Sequence, residues 1–383
     1  MAQGFHSIAL KANGQAWTWG YADFGQLGDN SVDRKSSPVL VVGSHSFVEV
    51  SAGYYHSAGR KADGSVWTWG YNAYGQLGDN TRASKSSPVL VVGNHSFIQV
   101  STGDVHNIAL KANGEAWSWG RSHYGELGDN TRISKSSPVL VAGNHSFVEV
   151  YAKVSGGMGR KSNGEVWCWG LNLYGTLGDN TAQNSKSSPV LVVGNHSFVE
   201  VAGGSDHSLA RKANGEVWCW GSGQYGQLGD NTIVSKSSPV LVVGNHSFVE
   251  IFSGYFHSLA RKANGEVWGW GINTLGHLGD DTLGNKSSPV LVVGSHHFVA
   301  LSEVQDRIDQ KVLLSPGGYF EIPAWCFGLG SCKLTRDKYQ SGLGDIIIKY
   351  KNGATQAACE ADSWNLYTTP FSCSGWIAIR VEA

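Results

Sequence analysis

The chain has 383 residues, 41% hydrophobic and only 15% charged, against a usual charged share of about 25%. It is apolar enough to bury large cores, which excludes a disordered tail, and 51 Gly with 9 Pro, 15 Trp and 2 Met point to short strands joined by glycine turns. Net charge is −1 with no basic run, so the surface that neutralises phosphates is missing and no nucleic-acid partner is expected.

The opening Met-Ala-Gln-Gly-Phe-His-Ser has neither a charged n-region nor an apolar h-region, so a protein made in the cytoplasm without a removed secretory signal is expected. Apolar runs such as Pro-Val-Leu-Val-Val-Gly fall far short of the roughly 18 residues that span a bilayer, so no membrane insertion is expected.

From residue 17 onward one pattern recurs. Trp-x-Trp-Gly begins at Trp17, Trp67, Trp117, Trp167, Trp218 and Trp268, in steps of 50, 50, 50, 51 and 50. Leu-Gly-Asp follows each time from Leu27 to Leu278, and Lys-Ser-Ser-Pro from Lys35 to Lys286. A unit read from His56 starts with a strand, turns at Ala62-Asp63-Gly64, and returns through Val-Trp-Thr-Trp. A glycine-rich connection leads to strands at 88–92 and 97–100, and the unit is expected to form a four-stranded antiparallel sheet.

A unit of this size cannot bury both faces alone, which is the condition of a β-propeller blade. The expected fold is therefore all-β: a six-bladed propeller over residues 1–301. Residues 1–20 lack the Phe-Val-Glu-Val strand of the other copies, and 298–301 supply a spare one, predicted to pair in the sheet of residues 5–19.

The residues just quoted carry a resemblance. His-Ser-x-Ala-x-Lys-x-x-Gly-x-x-Trp-x-Trp-Gly-x-x-x-x-Gly-Gln-Leu-Gly-Asp closely resembles the repeat of the regulator-of-chromosome-condensation family, over about residues 1–301. That family's best-known propellers close with seven blades, and the count here is six. The regularity of the copies and a small terminal β domain look like proteins of phage tail and fibre regions.

After residue 301 the period stops. Strands are expected at 311–314, 319–322, 345–350 and 376–381, and residues 302–383 read as a small β-sandwich-like domain. Cys326, Cys332, Cys359 and Cys373 fall here and could form two disulfides, with 326–332 and 359–373 the most local pairing. Cys168 and Cys219 occupy matching strand positions and are expected to stay free.

No repeated residue reads as chemistry. His6, His56, His106, His207 and His257 recur one per copy, too far apart to share an ion, and Gly156 replaces the fourth. The turn histidines His45, His95, His145, His196 and His246 read the same way. Leu-Gly-Asp-Asn lacks the dense acids of a calcium loop, so Asp29, Asp79 and their copies are expected to bond their own turns. The twelve paired tryptophans are expected in the core. No metal, cofactor or catalytic residue is expected.

Variation among the copies points instead to a surface. Lys-Ala-Asn-Gly and Gly-Asn-His-Ser-Phe open on one rim and barely change, while the connections after Trp-Gly and before His-Ser open on the other and vary. Functional residues concentrate on loops held by a rigid scaffold, with Tyr and Arg favoured as anchors. The candidate binding residues are Tyr21, Asp23, Tyr54, Tyr55, Tyr71, Asn72, Asp104, Arg121, His123, Lys153, Leu171, Asp206, Gln224 and Tyr255.

The reading this supports is a non-enzymatic structural or recognition protein, a virion or extracellular adhesin component. Its partner would be a receptor, a glycan or a neighbouring subunit of an assembly. The family resemblance implies two alternatives: nucleotide exchange on a small GTPase, or a propeller-type protein inhibitor.

Overall fold

The computed structural model describes residues 5–294, 296 and 298, and the backbone of four later strands. The chain divides into two compact units, Met1–Asp306 and Arg307–Ala383. Each sheet of the first unit grows from a hairpin. In the second copy Gly64 takes a φ of 84°, which only glycine adopts freely, and Asp63 Oδ1 accepts the Ser65 amide at 2.9 Å. This turn joins His56–Lys61 to Val66–Gly70, and Phe47–Ala52 and Lys85–Leu90 complete the antiparallel sheet on either side.

Two details depart from the sequence reading. The outer strand starts at Lys85, three residues before Pro88, because the register shifts between Thr68 and Gly70 and the extra residues are taken up as a bulge. Proline is tolerated there because an outer strand needs no amide for a further neighbour. The Phe97–Thr102 strand does not complete its own unit but opens the next sheet, pairing with His106–Lys111. Phe97 is placed by its amide, bonded to Gly64 O at 2.9 Å, and by its ring, stacked on Trp119 at 6.1 Å.

Among its described residues the unit holds five four-stranded sheets preceded by a three-stranded one of His6–Leu10, Ala16–Gly20 and Lys35–Leu40. The strand expected at 298–301 lies outside the described residues, apart from Phe298. Its amide bonds Gly265 O at 3.0 Å, as Phe97 does to Gly64.

Neighbouring sheets meet at one repeated junction. The second tryptophan of the last five pairs, Trp69, Trp119, Trp169, Trp220 and Trp270, is fully buried, and its indole N–H donates to a loop carbonyl of the preceding sheet, whereas Trp19 of the first pair is half-buried. Gln26 O accepts from both Trp69 Nε1 at 3.0 Å and Ser57 Oγ at 2.9 Å. Burying the ring supplies the driving force, and satisfying its N–H fixes the sheets' relative position. The first tryptophan differs from expectation: Trp67 is half-buried near the uniform rim, with Lys61 Nζ 4.7 Å from its ring centre and His45 at 4.4 Å.

In the second unit, strands Tyr319–Ile322, Ile377–Glu382, Ile347–Tyr350 and Asn365–Leu366 form one sheet in that order. The strand expected at 311–314, and Cys326, Cys332, Cys359 and Cys373, lie outside the described residues. Cys168 and Cys219 are free and buried, and burial raises both thiols, that of Cys168 to about 12.

Candidate recognition rim

The two rims are each tied together by backbone. On the variable rim, Tyr71 donates its amide to Tyr55 O, Arg121 to Val105 O and Leu171 to Ser155 O, at 2.8–2.9 Å. The loop after each tryptophan pair is thus fastened to the loop before each second strand. Side chains at these places can vary because the backbone bonds do not depend on them.

Five expected residues lie in one aromatic sector over the first three sheets. Tyr21, Tyr54, Tyr55 and Tyr71 are half-buried and His123 is exposed. Tyr54 and Tyr55 meet edge to face at 4.5 Å, Tyr55 contacts Tyr71 at 6.1 Å, and Tyr74 meets His123 at 5.4 Å. Phe5 and Phe24 join them: Phe5 lies 4.9 Å from Tyr54, and Phe24 lies 5.2 Å from Tyr55 and 4.8 Å from Tyr71. The sequence reading omitted Phe5, Phe24 and Tyr74 from the site. Their signal was present, since Phe5 directly precedes His6, as Tyr55 precedes His56, and Phe24 and Tyr74 share a loop position. At the sector's outer edge Asp23 accepts two bonds from Arg34, each 2.9 Å, and the Arg34 guanidinium lies 4.6 Å from the Tyr21 ring centre.

Toward the middle of the rim, Asp104 O accepts the Tyr54 amide at 3.2 Å, and the Tyr255 hydroxyl bonds the Asp104 carboxylate. Asp104 Oδ1 has no partner, and burial pushes this carboxyl up to about 7. Burial likewise raises Asp206, which accepts Ser205 Oγ at 3.1 Å, and lifts Tyr255 to about 12. Arg121 is engaged by Glu126 at 3.0 Å and Ser155 at 3.1 Å. Leu171 is half-buried and Gln224 exposed.

Two expected contacts are corrected. Asn72 is fully buried, its side-chain oxygen accepting the Leu77 amide at 2.9 Å and its nitrogen bonding Asp79 and the Thr81 region, so it shapes the loop. Lys153 is 2% exposed and donates to Thr176 O at 3.0 Å and Ser208 Oγ at 3.1 Å, so it belongs to a sheet junction.

The repeated histidines are junction groups as well. His6 Nε2 bonds Ser57 Oγ at 2.7 Å, His56 bonds Asn107 at 2.9 Å, His106 bonds Gly156 O at 3.0 Å and His207 bonds Ser258 Oγ at 3.0 Å. Burial holds them far below the usual imidazole range, at about 3 for His6, His106 and His207 and about 4 for His56. Asp79 bonds its own turn through Thr81, as do its copies Asp129 and Asp230. Among the described residues no three His, Cys, Asp or Glu side chains are grouped to hold a metal.

On the uniform rim a hollow of about 240 Å³ is lined by Asn163, Glu165, Leu191, His196 and Phe198. Its polar groups are largely taken up by the fold: Asn163 Oδ1 accepts the Glu165 amide, and Ser197 Oγ donates to Asn163 O.

The pattern described as the regulator of chromosome condensation (RCC1) repeat matches residues 13–59, 63–110, 113–157, 163–211 and 214–261, more than half of the chain. A second RCC1 repeat pattern matches 47–76, 97–126, 198–227 and 248–276. No curated protein sequence matches. Among solved structures, human WBSCR16 is similar with a TM-score of 0.68 at 20% identity, covering 77% of this chain and 81% of its own. Prp20p from Saccharomyces cerevisiae, reported with its binding to Gsp1p and histones, has a TM-score of 0.68 at 20% identity, covering 76% of each chain. Yeast RCC1 (Prp20) bound to Kap60 has a TM-score of 0.68 at 19% identity, covering 76% of this chain and 74% of that one. These likenesses show the fold. The expected virion or extracellular location is overturned, because the matching repeats are those described as the regulator of chromosome condensation, and Prp20p, which shares the fold, is reported with its binding to Gsp1p and histones.

Proposed function

The chain belongs to the regulator of chromosome condensation (RCC1) repeat family, and from that membership we propose that it is a protein-recognition propeller regulating a small GTPase through its variable rim. In this reading the six sheets close into a ring through the 298–301 strand, which would bring His257 against Ser7 and continue the junction series. The second unit would be a small appended sandwich.

One observation carries the proposal: backbone bonds hold both rims alike, yet the side chains of one rim differ from copy to copy and gather seven aromatic rings on one side. Such a surface is suited to a folded partner, with aromatic side chains as anchors. Nucleotide exchange requires only that the partner's nucleotide-free state be bound more tightly than its loaded state. The proposed activity therefore uses binding alone, without a covalent step.

The test uses Gsp1p loaded with a fluorescent GDP, mixed with this protein and excess GTP. Accelerated GDP release, together with a complex stable on gel filtration only without nucleotide, is the expected result. No complex and no acceleration would overturn the GTPase reading.

A further inference from the structure

We propose that the aromatic sector formed by Phe5, Tyr21, Phe24, Tyr54, Tyr55 and Tyr71, together with the neighbouring Asp104, docks an arginine-bearing apolar segment of a protein partner. This deepens the preceding reading, on which it rests for the use of the rim, by assigning the partner's chemistry and its off-axis position over the first three sheets.

Phe5 is 56% exposed, and each ring of the sector touches at least one other within 6.3 Å. An exposed aromatic patch of this extent on a folded protein marks an interaction site. The corresponding loops of the fourth and sixth copies carry Leu171, Leu173, Ile272 and Leu275, and a smaller group of rings, Tyr225, Phe256 and Tyr255, meets at 4.9–5.6 Å elsewhere on the rim.

The carboxyl beside the rings decides what they accept. Arg34 is held by Asp23, Arg121 by Glu126 and Ser155, and Lys153 is buried in its junction. Asp104 accepts the Tyr255 hydroxyl but keeps Oδ1, buried beneath the rim, without a partner. The complement to electron-rich ring faces beside such a carboxylate is a cation, and a guanidinium both stacks on aromatic faces and pairs with carboxylates. A sugar is disfavoured by the ring geometry. Contacts at interplanar angles of 42–84° cover one ring with the edge of the next, leaving a mosaic and not a flat open platform.

The test measures fluorescence polarisation of a labelled short peptide alternating arginine and leucine, with its glutamate counterpart and maltohexaose as competing probes. The arginine peptide should bind the full chain and weaken with added salt. The Phe5→Ala, Tyr55→Ala variant should bind at least ~10-fold more weakly. Asp104→Asn should weaken arginine-peptide binding and reduce its salt dependence, while Leu173→Ala, at an exposed position of the fourth copy, leaves it unchanged. Thermal melts identify any variant that has lost its fold, and Phe5→Ala alone, at an exposed position, then serves as the readout. Preference for the glutamate peptide, binding of maltohexaose only, or arginine-peptide binding unaffected by Phe5→Ala would overturn the proposal. Peptide binding without GDP release would retain it and remove only the GTPase reading.

Discussion

Among the described residues, four junctions between neighbouring sheets use a histidine and one uses a lysine. Between the first and second sheets His6 reaches Ser57, whereas between the fourth and fifth Lys153 reaches Ser208, the equivalent serine. The two solutions exclude each other sterically. A side chain at Gly103, the place of Lys153 one copy earlier, would run into the His106 ring and the Lys153 carbonyl, and the fourth copy carries Gly156 where the histidine stood. The comparison teaches that the polar group reaching the junction serine can come from either chain position if packing is relieved elsewhere. It also makes the junctions differ electrically, since histidine is buried neutral while lysine brings a charge that burial disfavours.

Acid should break the histidine junctions with the largest effect. Their pKa values are lower folded than unfolded, so above about 6.5 neither state gains protons, and below it the unfolded chain protonates first. Each fully buried histidine should therefore cost on the order of 3 kcal/mol by pH 4. Asp104, raised to about 7, works in the opposite direction together with Asp206, Glu149 and Glu200, against five histidines that burial lowers. Denaturant titrations should show stability falling steeply between pH 6.5 and 4, with a smaller slope in His56→Gln. A flat profile would contradict the neutral junctions.

Gly103→Lys should cost about 4 kcal/mol or more, because backbone and His106 occupy the space its Cβ needs. Adding His106→Gly should recover part of the loss, and a double-mutant cycle on melting temperatures reads the coupling. Additive losses would mean that the exchange seen at Lys153 and Gly156 is incidental.

His56→Ala should cost about 2–3 kcal/mol, from a cavity and an Asn107 left without its partner. Lys153→Met has the smallest effect, about 1 kcal/mol and stabilising at neutral pH, since a buried ammonium without a carboxylate partner is replaced by an apolar chain of similar length. Its advantage should shrink as pH rises toward the ordinary lysine range, where the wild-type charge is lost in both states. Urea melts at neutral and alkaline pH check both expectations.

The repeat, its hairpin turn and the self-bonded Asp79 loop were legible in the sequence because each depends on residues close along the chain. Gly64 supplies its positive φ wherever the hairpin is placed, and Asp79 finds Thr81 two residues on. Tertiary structure decided what sheets do to one another. Phe97 belongs to the following sheet because its ring finds Trp119, and Lys153 leaves the rim because the histidine that would block it is missing. Phe5 joins the aromatic sector because the Tyr54 loop of the next sheet lies 4.9 Å away. Periodicity reports which face a residue presents within its own strand, and the partner across a junction is chosen by packing between elements about fifty residues apart.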